Sequence, residues 1–191
     1  MKKLIILLLL TTSIYAQDNY ISFSAGIDVR NAIFGSEPTK DKPSLDYQLQ
    51  FAMVDRNVEV NIGYEAFPRL DFRKYSIGLG YHFQLYNYTL RKEIKTTFIP
   101  SLEPSLIDRY DYWGGGIGTK QKSSHLSLGV NLAFRWDLND DIAVEYCFNM
   151  LPRTDLKAMY GNISTVDRAS IGGVPIIGSN YIKFVYKINR F

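Results

Sequence analysis

From Ser124 to Leu138 every second residue is large and apolar: Leu126, Leu128, Val130, Leu132, Phe134, Trp136 and Leu138. The residues between them are His125, Ser127, Gly129, Asn131, Ala133, Arg135 and Asp137. A β-strand sends successive side chains to opposite faces, whereas a helix would scatter this pattern around its axis. The segment is therefore a long strand with one wholly apolar face and one face that is polar or small.

The same rhythm organises most of the chain. Ile21, Phe23, Ala25, Ile27 and Val29 alternate with Ser22, Ser24, Gly26, Asp28 and Arg30, and Asn31 to Pro43 then reads as a loop because of Gly35, Pro38 and Pro43. Leu45 to Met53 alternates next, and after Asp55-Arg56-Asn57 the pattern restarts at Val58, Val60, Ile62 and Tyr64, which predicts a tight antiparallel hairpin. A break from Phe67 to Arg73 precedes Tyr75, Ile77, Leu79, Tyr81 and Phe83. After a turn over Tyr86 to Glu93, Ile94, Thr96, Phe98, Leu102 and Leu106 share one phase with Pro100 and Pro104. Proline cannot donate to a ladder, so a bulge or an early end to pairing is expected there. Asp108 to Ser123, with Gly114-Gly115-Gly116, reads as a loop. Asn139-Asp140-Asp141 turns the chain into Ile142 to Met150, a long loop covers Leu151 to Gly178, and a last strand carries Ile182, Phe184, Tyr186 and Ile188.

Eight strands result, with short connections at Asp55, Tyr86 and Asn139 on the side of both termini and the other connections opposite. That asymmetry, with an even strand count, is the pattern of an all-β, eight-stranded antiparallel up-and-down transmembrane β-barrel. A soluble barrel would show the same alternation with its apolar face inward, so direction decides. The polar face carries Gly26, Gly63, Gly78, Gly80, Gly129 and Ala133, which suit a narrow interior. It also carries Asp28, Glu59, Glu65, Glu103, Asp137 and Glu145 against Arg30, Lys74, Lys95, Arg135, Lys183 and Lys187, which can pair there. Tyr64, Tyr75, Trp136 and Tyr186 fall near the ends of apolar runs, where interfacial girdles belong.

The first residues depart from this rhythm. Lys2 and Lys3 precede an unbroken apolar run from Leu4 to Leu10 and then Tyr15-Ala16-Gln17, the layout of a cleaved signal peptide spanning residues 1–16 ahead of a barrel domain spanning 17–191. No later stretch offers the roughly 20 apolar residues of a membrane helix, so any crossing is by strands. Removing Lys2 and Lys3 takes the formal charge from +3 to +1, and a nearly neutral chain gives no electrostatic footprint for nucleic acid.

Across the mature sequence the chain resembles the small OmpA/OmpX-like outer-membrane barrels of Gram-negative bacteria. The signal peptide, the eight alternating segments and the terminal Phe191 carry the resemblance. It implies a location in the bacterial outer membrane with both termini periplasmic. Its partners would be outer-membrane lipid and lipopolysaccharide, with the barrel-assembly machinery reading the terminal aromatic during biogenesis. Phe191 is out of phase with Ile182, Phe184, Tyr186 and Ile188, so a bulge is expected in the final residues.

The reading for function is a non-enzymatic barrel with a polar, side-chain-filled lumen and surface-exposed loops, serving envelope integrity or surface interaction, without a cofactor or metal. Binding or transport of a small apolar molecule is the alternative. A third reading rests on His125 and Ser127, two apart on one strand and so on one face, with Glu145 on the adjoining strand to orient the imidazole or to pair with Arg135. The pair resembles in outline the His-x-Ser of outer-membrane lipid A deacylases and would make the chain a lipid A-modifying hydrolase. His82 has no second histidine at ligand spacing, and the lone Cys147 lies in an alternating strand, where a buried thiol is expected.

Overall fold

A computed structural model describes residues 19–34, 43–68, 71–89, 92–111, 121–152, 170–171 and 174–190. The proposed signal peptide and the terminal Phe191 lie outside the described residues. The strands are β1 (Tyr20–Asp28), β2 (Tyr47–Asp55), β3 (Val58–Phe67), β4 (Phe72–Tyr81), β5 (Phe83–Thr89), β6 (Lys92–Asp111), β7 (Gln121–Asp137), β8 (Ile142–Pro152), β9 (Ser170–Ile171) and β10 (Val174–Arg190), with one short helix α1 (Val29–Ile33). Each long strand pairs antiparallel with its neighbour, and β1 pairs with β10, so the sheet closes on itself. β4 and β5 form one stave interrupted at His82: Leu79 faces Leu102, Gly80 faces Ser101 and Phe83 faces Phe98, a single uninterrupted register against β6. β9 adds only a short pairing to the start of β10. The architecture is an all-β, closed antiparallel barrel of eight staves.

The turns follow from their residues. Arg56 and Asn57 take φ of 47° and 69° between the paired Asp55 and Val58, the two positive values of a tight hairpin whose twist matches its strands. At the β7–β8 turn the Asn139 side-chain oxygen accepts from the Asp141 and Ile142 N–H groups at 2.9 and 2.8 Å, replacing the ladder where the chain reverses. The sequence kept Val29 and Arg30 in the first strand; instead Asp28 accepts from the Asn31 N–H at 2.8 Å and starts α1. Regular structure also extends further into the expected loops. β6 reaches Asp111, β7 begins at Gln121 and β10 begins at Val174.

The final residues hold the expected bulge. Ile21 pairs with Asn189 and Ser22 with Lys187, which leaves Ile188 as the extra residue. Pro100 and Pro104 behave otherwise: β6 keeps one register against β7 through both prolines, pairing Pro100 with Leu132 and Pro104 with Leu128. Against β4 the pairs beside the same prolines are missing although the register is unchanged. Successive antiparallel residues alternate in which neighbour they bond, and prolines four apart turn their missing N–H to the same side. The ladder is thus interrupted toward β4 with no bulge.

Exposure inverts the arrangement of a water-soluble barrel. Ile77 and Leu79 on the outer wall are 62% and 58% exposed, while Lys74 and Glu103 inside are each 1% exposed. Tyr47, Tyr64 and Tyr75 touch ring to ring across three staves at one end of the apolar band. A second row, Tyr81, Phe83, Phe98 and Phe134, crosses the staves toward the other end. The interior leaves little room: a Cβ at Gly78 would collide with the Asn61 amide, and one at Gly26 would lie 2.6 Å from Lys183 Cγ. Gly78→Val should therefore lower stability by about 1–3 kcal/mol through overpacking. The denaturant midpoint of the refolded barrel is the measurement, and an unchanged midpoint would show that the interior is looser than this.

Candidate functional site

The lumen gathers the chain's chemistry because the phase opposite the apolar one points inward on every stave. Near the termini, Arg135 on β7 lies between two carboxylates. Its guanidinium is 2.7 Å from Glu145 on β8 and 3.3 Å from Glu59 on β3, and it donates to the Tyr20 hydroxyl. Arg135 and Glu145 are direct cross-strand partners, whereas Glu59 reaches across the lumen. His82, at the break between β4 and β5, places Nε2 2.8 Å from Glu59, which also accepts from the Asn61 and Gln50 amides at 2.9 and 3.3 Å. Lys183 lies 3.3 Å from Glu145 and donates to Gln50 at 2.7 Å. Lys187 lies 3.0 Å from Asp137, with its ammonium 4.9 Å from the centre of the Tyr20 ring.

Further along the axis Lys74 is 2.8 Å from Glu65 and 3.6 Å from Glu103. Glu103 accepts in turn from the amides of Asn131 and Asn149. At the end carrying α1, Asp46 accepts from the Tyr181 hydroxyl at 3.1 Å and the Asn31 amide at 3.2 Å, and Asp28 accepts from the Asn180 N–H at 3.0 Å. Among the described residues each buried cation thus faces at least one carboxylate, and Lys74, Arg135 and their partners cross-brace separate staves. Such a network fills the interior with groups that stabilise one another only in this arrangement.

The structure does not bring the three hydrolase candidates together. Glu145 is held by Arg135 and Lys183. His125 pairs with Ile107 in the ladder, ten positions along β7 from the Arg135 that faces Glu145, or about 33 Å of strand. Ser127 faces Ser105, and the His125 side chain lies outside the described residues. The carboxylate thus serves the ion network, the second of the two roles the sequence left open for it. Cys147 is buried beside Ala133, Ile99 and Tyr181.

Sequence reasoning identified the inward charges and set Asp46, Gln50, Asn131 and Asn149 in the polar phase, but passed over Tyr20 and Tyr181. Their signal was phase: Tyr20 shares a face with Ser22 and Tyr181 with Lys183, against the apolar positions beside them. The pairing across the lumen, Glu59 with Arg135 above all, has no such signal. Replacing Arg135 with Met takes the guanidinium from both buried carboxylates, leaving Glu145 with Lys183 alone and Glu59 with His82 and two amides. We expect a loss of about 3–5 kcal/mol in denaturant unfolding of the reconstituted barrel. A shift no greater than that of an exposed Arg56→Met control would mean that the carboxylates find other partners.

No protein-family model matches the chain, and a search of curated proteins finds no match. Solved structures do show likeness. Neisserial surface protein A (NspA) aligns at 11% identity over 89% of this chain and 97% of its own, with a TM-score of 0.46. The N-terminal β-barrel domain of Pseudomonas aeruginosa OprF aligns at 7% identity over 90% of this chain and 100% of its own, with a TM-score of 0.56. At such identity the OprF likeness speaks to fold alone, and in fold 90% of this chain is similar to that barrel domain.

Proposed function

We propose that the chain is an integral barrel of a bacterial outer membrane that performs no chemistry, its rigid wall holding surface loops for envelope integrity or surface interaction. The observation that carries this reading is the inversion of polarity. Apolar side chains cover the outer wall on every stave while Glu59, Glu65, Glu103, Glu145, Lys74, Arg135 and Lys183 are buried inside. In water that wall would be an aggregating surface; against hydrocarbon it is the favourable one. An eight-stranded barrel is just wide enough for side chains to fill, and paired charges occupy this lumen, which argues against an open diffusion channel.

In this reading the barrel sits among outer-membrane lipid and lipopolysaccharide after delivery by the barrel-assembly machinery, with both termini periplasmic. The connection between β2 and β3 at Arg56 and Asn57 and the β7–β8 turn lie on the side of the termini, and the last residues of β1, β6 and β8 lie at the opposite end. Cell fractionation with heat-modifiable gel migration tests location and closure together. In a Cys147→Ser background, cysteines at Lys120 and Lys157, both outside the described residues, should label in intact cells with an impermeant reagent. A cysteine at Arg56 should label only after the outer membrane is opened, and the reverse pattern would invert the topology.

The separation of Glu145 from His125 supports a structural role for His125 and Ser127. His125→Asn and Ser127→Ala should leave assembly nearly intact and the acyl pattern of lipid A unchanged by mass spectrometry. A deacylated lipid A made by the wild type and lost in either variant would restore the hydrolase reading.

A further inference from the structure

At the end of the lumen away from the termini, α1 is tied to the segment just before β2. The Ser44 N–H donates to the Asn31 carbonyl and the Asp28 N–H to the Asp46 carbonyl, each at 2.9 Å, and the Asn31 side-chain amide donates to the Asp46 carboxyl at 3.2 Å. That carboxyl also meets the Tyr181 hydroxyl of β10 at 3.1 Å, and Asp46 is only 3% exposed. Two more buried carboxyl groups stand beside it, Asp28 of β1 and Glu65 of β3, and the Tyr181 hydroxyl is hydrogen-bonded to Glu65 as well. The three differ in what they meet. Lys74 of β4 lies 2.8 Å from Glu65, shared with Glu103 of β6, and Asp28 accepts from the backbone N–H groups of Asn31 and Asn180. Among the described residues Asp46 meets neither a cation nor a backbone donor, only the two neutral side chains of Asn31 and Tyr181.

We propose that Asp46 is the binding site for one proton, and that this proton latches α1 to the mouth of the barrel. The Tyr181 hydroxyl carries a single hydrogen and faces two carboxyl groups. With both ionised it bonds one and turns its oxygen lone pairs toward the other. A proton on Asp46 satisfies all three groups: Asp46 donates to the phenol oxygen, and the phenol donates to Glu65. Charge points the same way, because Asp28, Asp46, Glu65 and Glu103 are buried at this end beside one ammonium, that of Lys74. Both Asp46 oxygens are engaged already, one by Tyr181 and one by Asn31, which suits a proton better than a metal ion.

Asp46 precedes β2, and burial, with Glu65 and Asp28 beside it, pushes its carboxyl up to about 8. The latched form therefore holds the proton far more tightly than an opened, solvated Asp46, which titrates as an ordinary carboxyl. Latching is fully supported below that ordinary value, weakens about tenfold per pH unit from there toward about 8, and reaches its floor above it, where Asp46 is ionised in both forms. Ionised, Asp46 repels Asp28 and Glu65. Those two belong to paired staves, whereas α1 is five residues held at this end by the contacts named, so α1 is the part that yields.

The test is hydrogen exchange at the Asn31 and Ser44 amides of the full refolded barrel, followed by nuclear magnetic resonance and expressed against the intrinsic rate at each pH. In the wild type, protection of both amides should fall about tenfold per unit between about pH 5 and about pH 8 and then level off. Asp46→Asn, which keeps the shape and has no charge to gain, should hold its protection constant over the same range. Protection that ignores pH in the wild type overturns the latch, as does a pH response that Asp46→Asn retains, or one that follows a metal chelator and not pH. Heat-modifiable migration shows whether the variant has folded. Should it not fold, infrared spectra of the wild type decide. A protonated carboxyl band is expected at about pH 6.5, where ordinary carboxyl groups are ionised, and should be gone by about pH 9.5. Its absence at the lower pH overturns the site without any variant.

Discussion

Closure of the sheet governs everything else in this molecule. An open sheet has two edges of unpaired N–H and C=O groups, each a template for pairing with another chain, and the pairing of β1 with β10 removes both edges. Closure then fixes the meaning of the alternation: with eight staves the ring has an inside too small for bulk water and an outside larger than the polar residues could cover. The tight hairpins at Arg56 and Asn139 follow from the same requirement, because each must hand one stave to the next without slipping its register.

The interior responds to that narrowness with charge. Burial of an unpaired ion is prohibitive, and here the cations meet carboxylates from neighbouring staves and from across the ring: Arg135 touches Glu145 beside it and Glu59 opposite, and Lys74 lies between Glu65 and Glu103. Such pairs add less net stability than their geometry suggests, since each ion is first removed from water. Their stronger effect is on specificity. A one-residue slip of any stave would turn its charges out onto the apolar outer wall, so the network penalises wrong registers more than it favours the right one.

Much of this was legible in the sequence, and for physical reasons. Period-two alternation is a local property, so the two faces of β7 could be assigned from Leu126 to Leu138 alone, and the inward set Glu59, Glu65, Glu103, Arg135, Glu145 and Lys183 followed from phase. Where a local competitor intervened the pattern misled. Asp28 diverts Val29 and Arg30 into α1 by accepting from Asn31, and Pro175 and Gly178 hide the first half of β10 from a reader of alternation. Pro100 and Pro104 suggested a bulge or an early end to pairing because a missing donor is visible in sequence, whereas the side on which the ladder is interrupted is not. The contact of Arg135 with Glu59 depends on the curvature of the whole ring and has no local trace.

The seam between β1 and β10 also sets an order in time. Hairpins such as β2–β3 and β7–β8 join residues close in the chain and can form early, but Tyr20 meets Arg190 and Ile21 meets Asn189, near opposite ends of the sequence. The entropic cost of so distant a contact is modest, since each doubling of the intervening length adds only about 0.6 kcal/mol. The kinetic cost is larger: no sequence of local steps can close the ring before β10 exists. Until then β1 and each newly made stave present an open edge and an uncovered apolar face, a state prone to pair with other chains. A barrel closed by its first and last strands therefore depends, during synthesis, on being held apart from its own kind until its last strand is made.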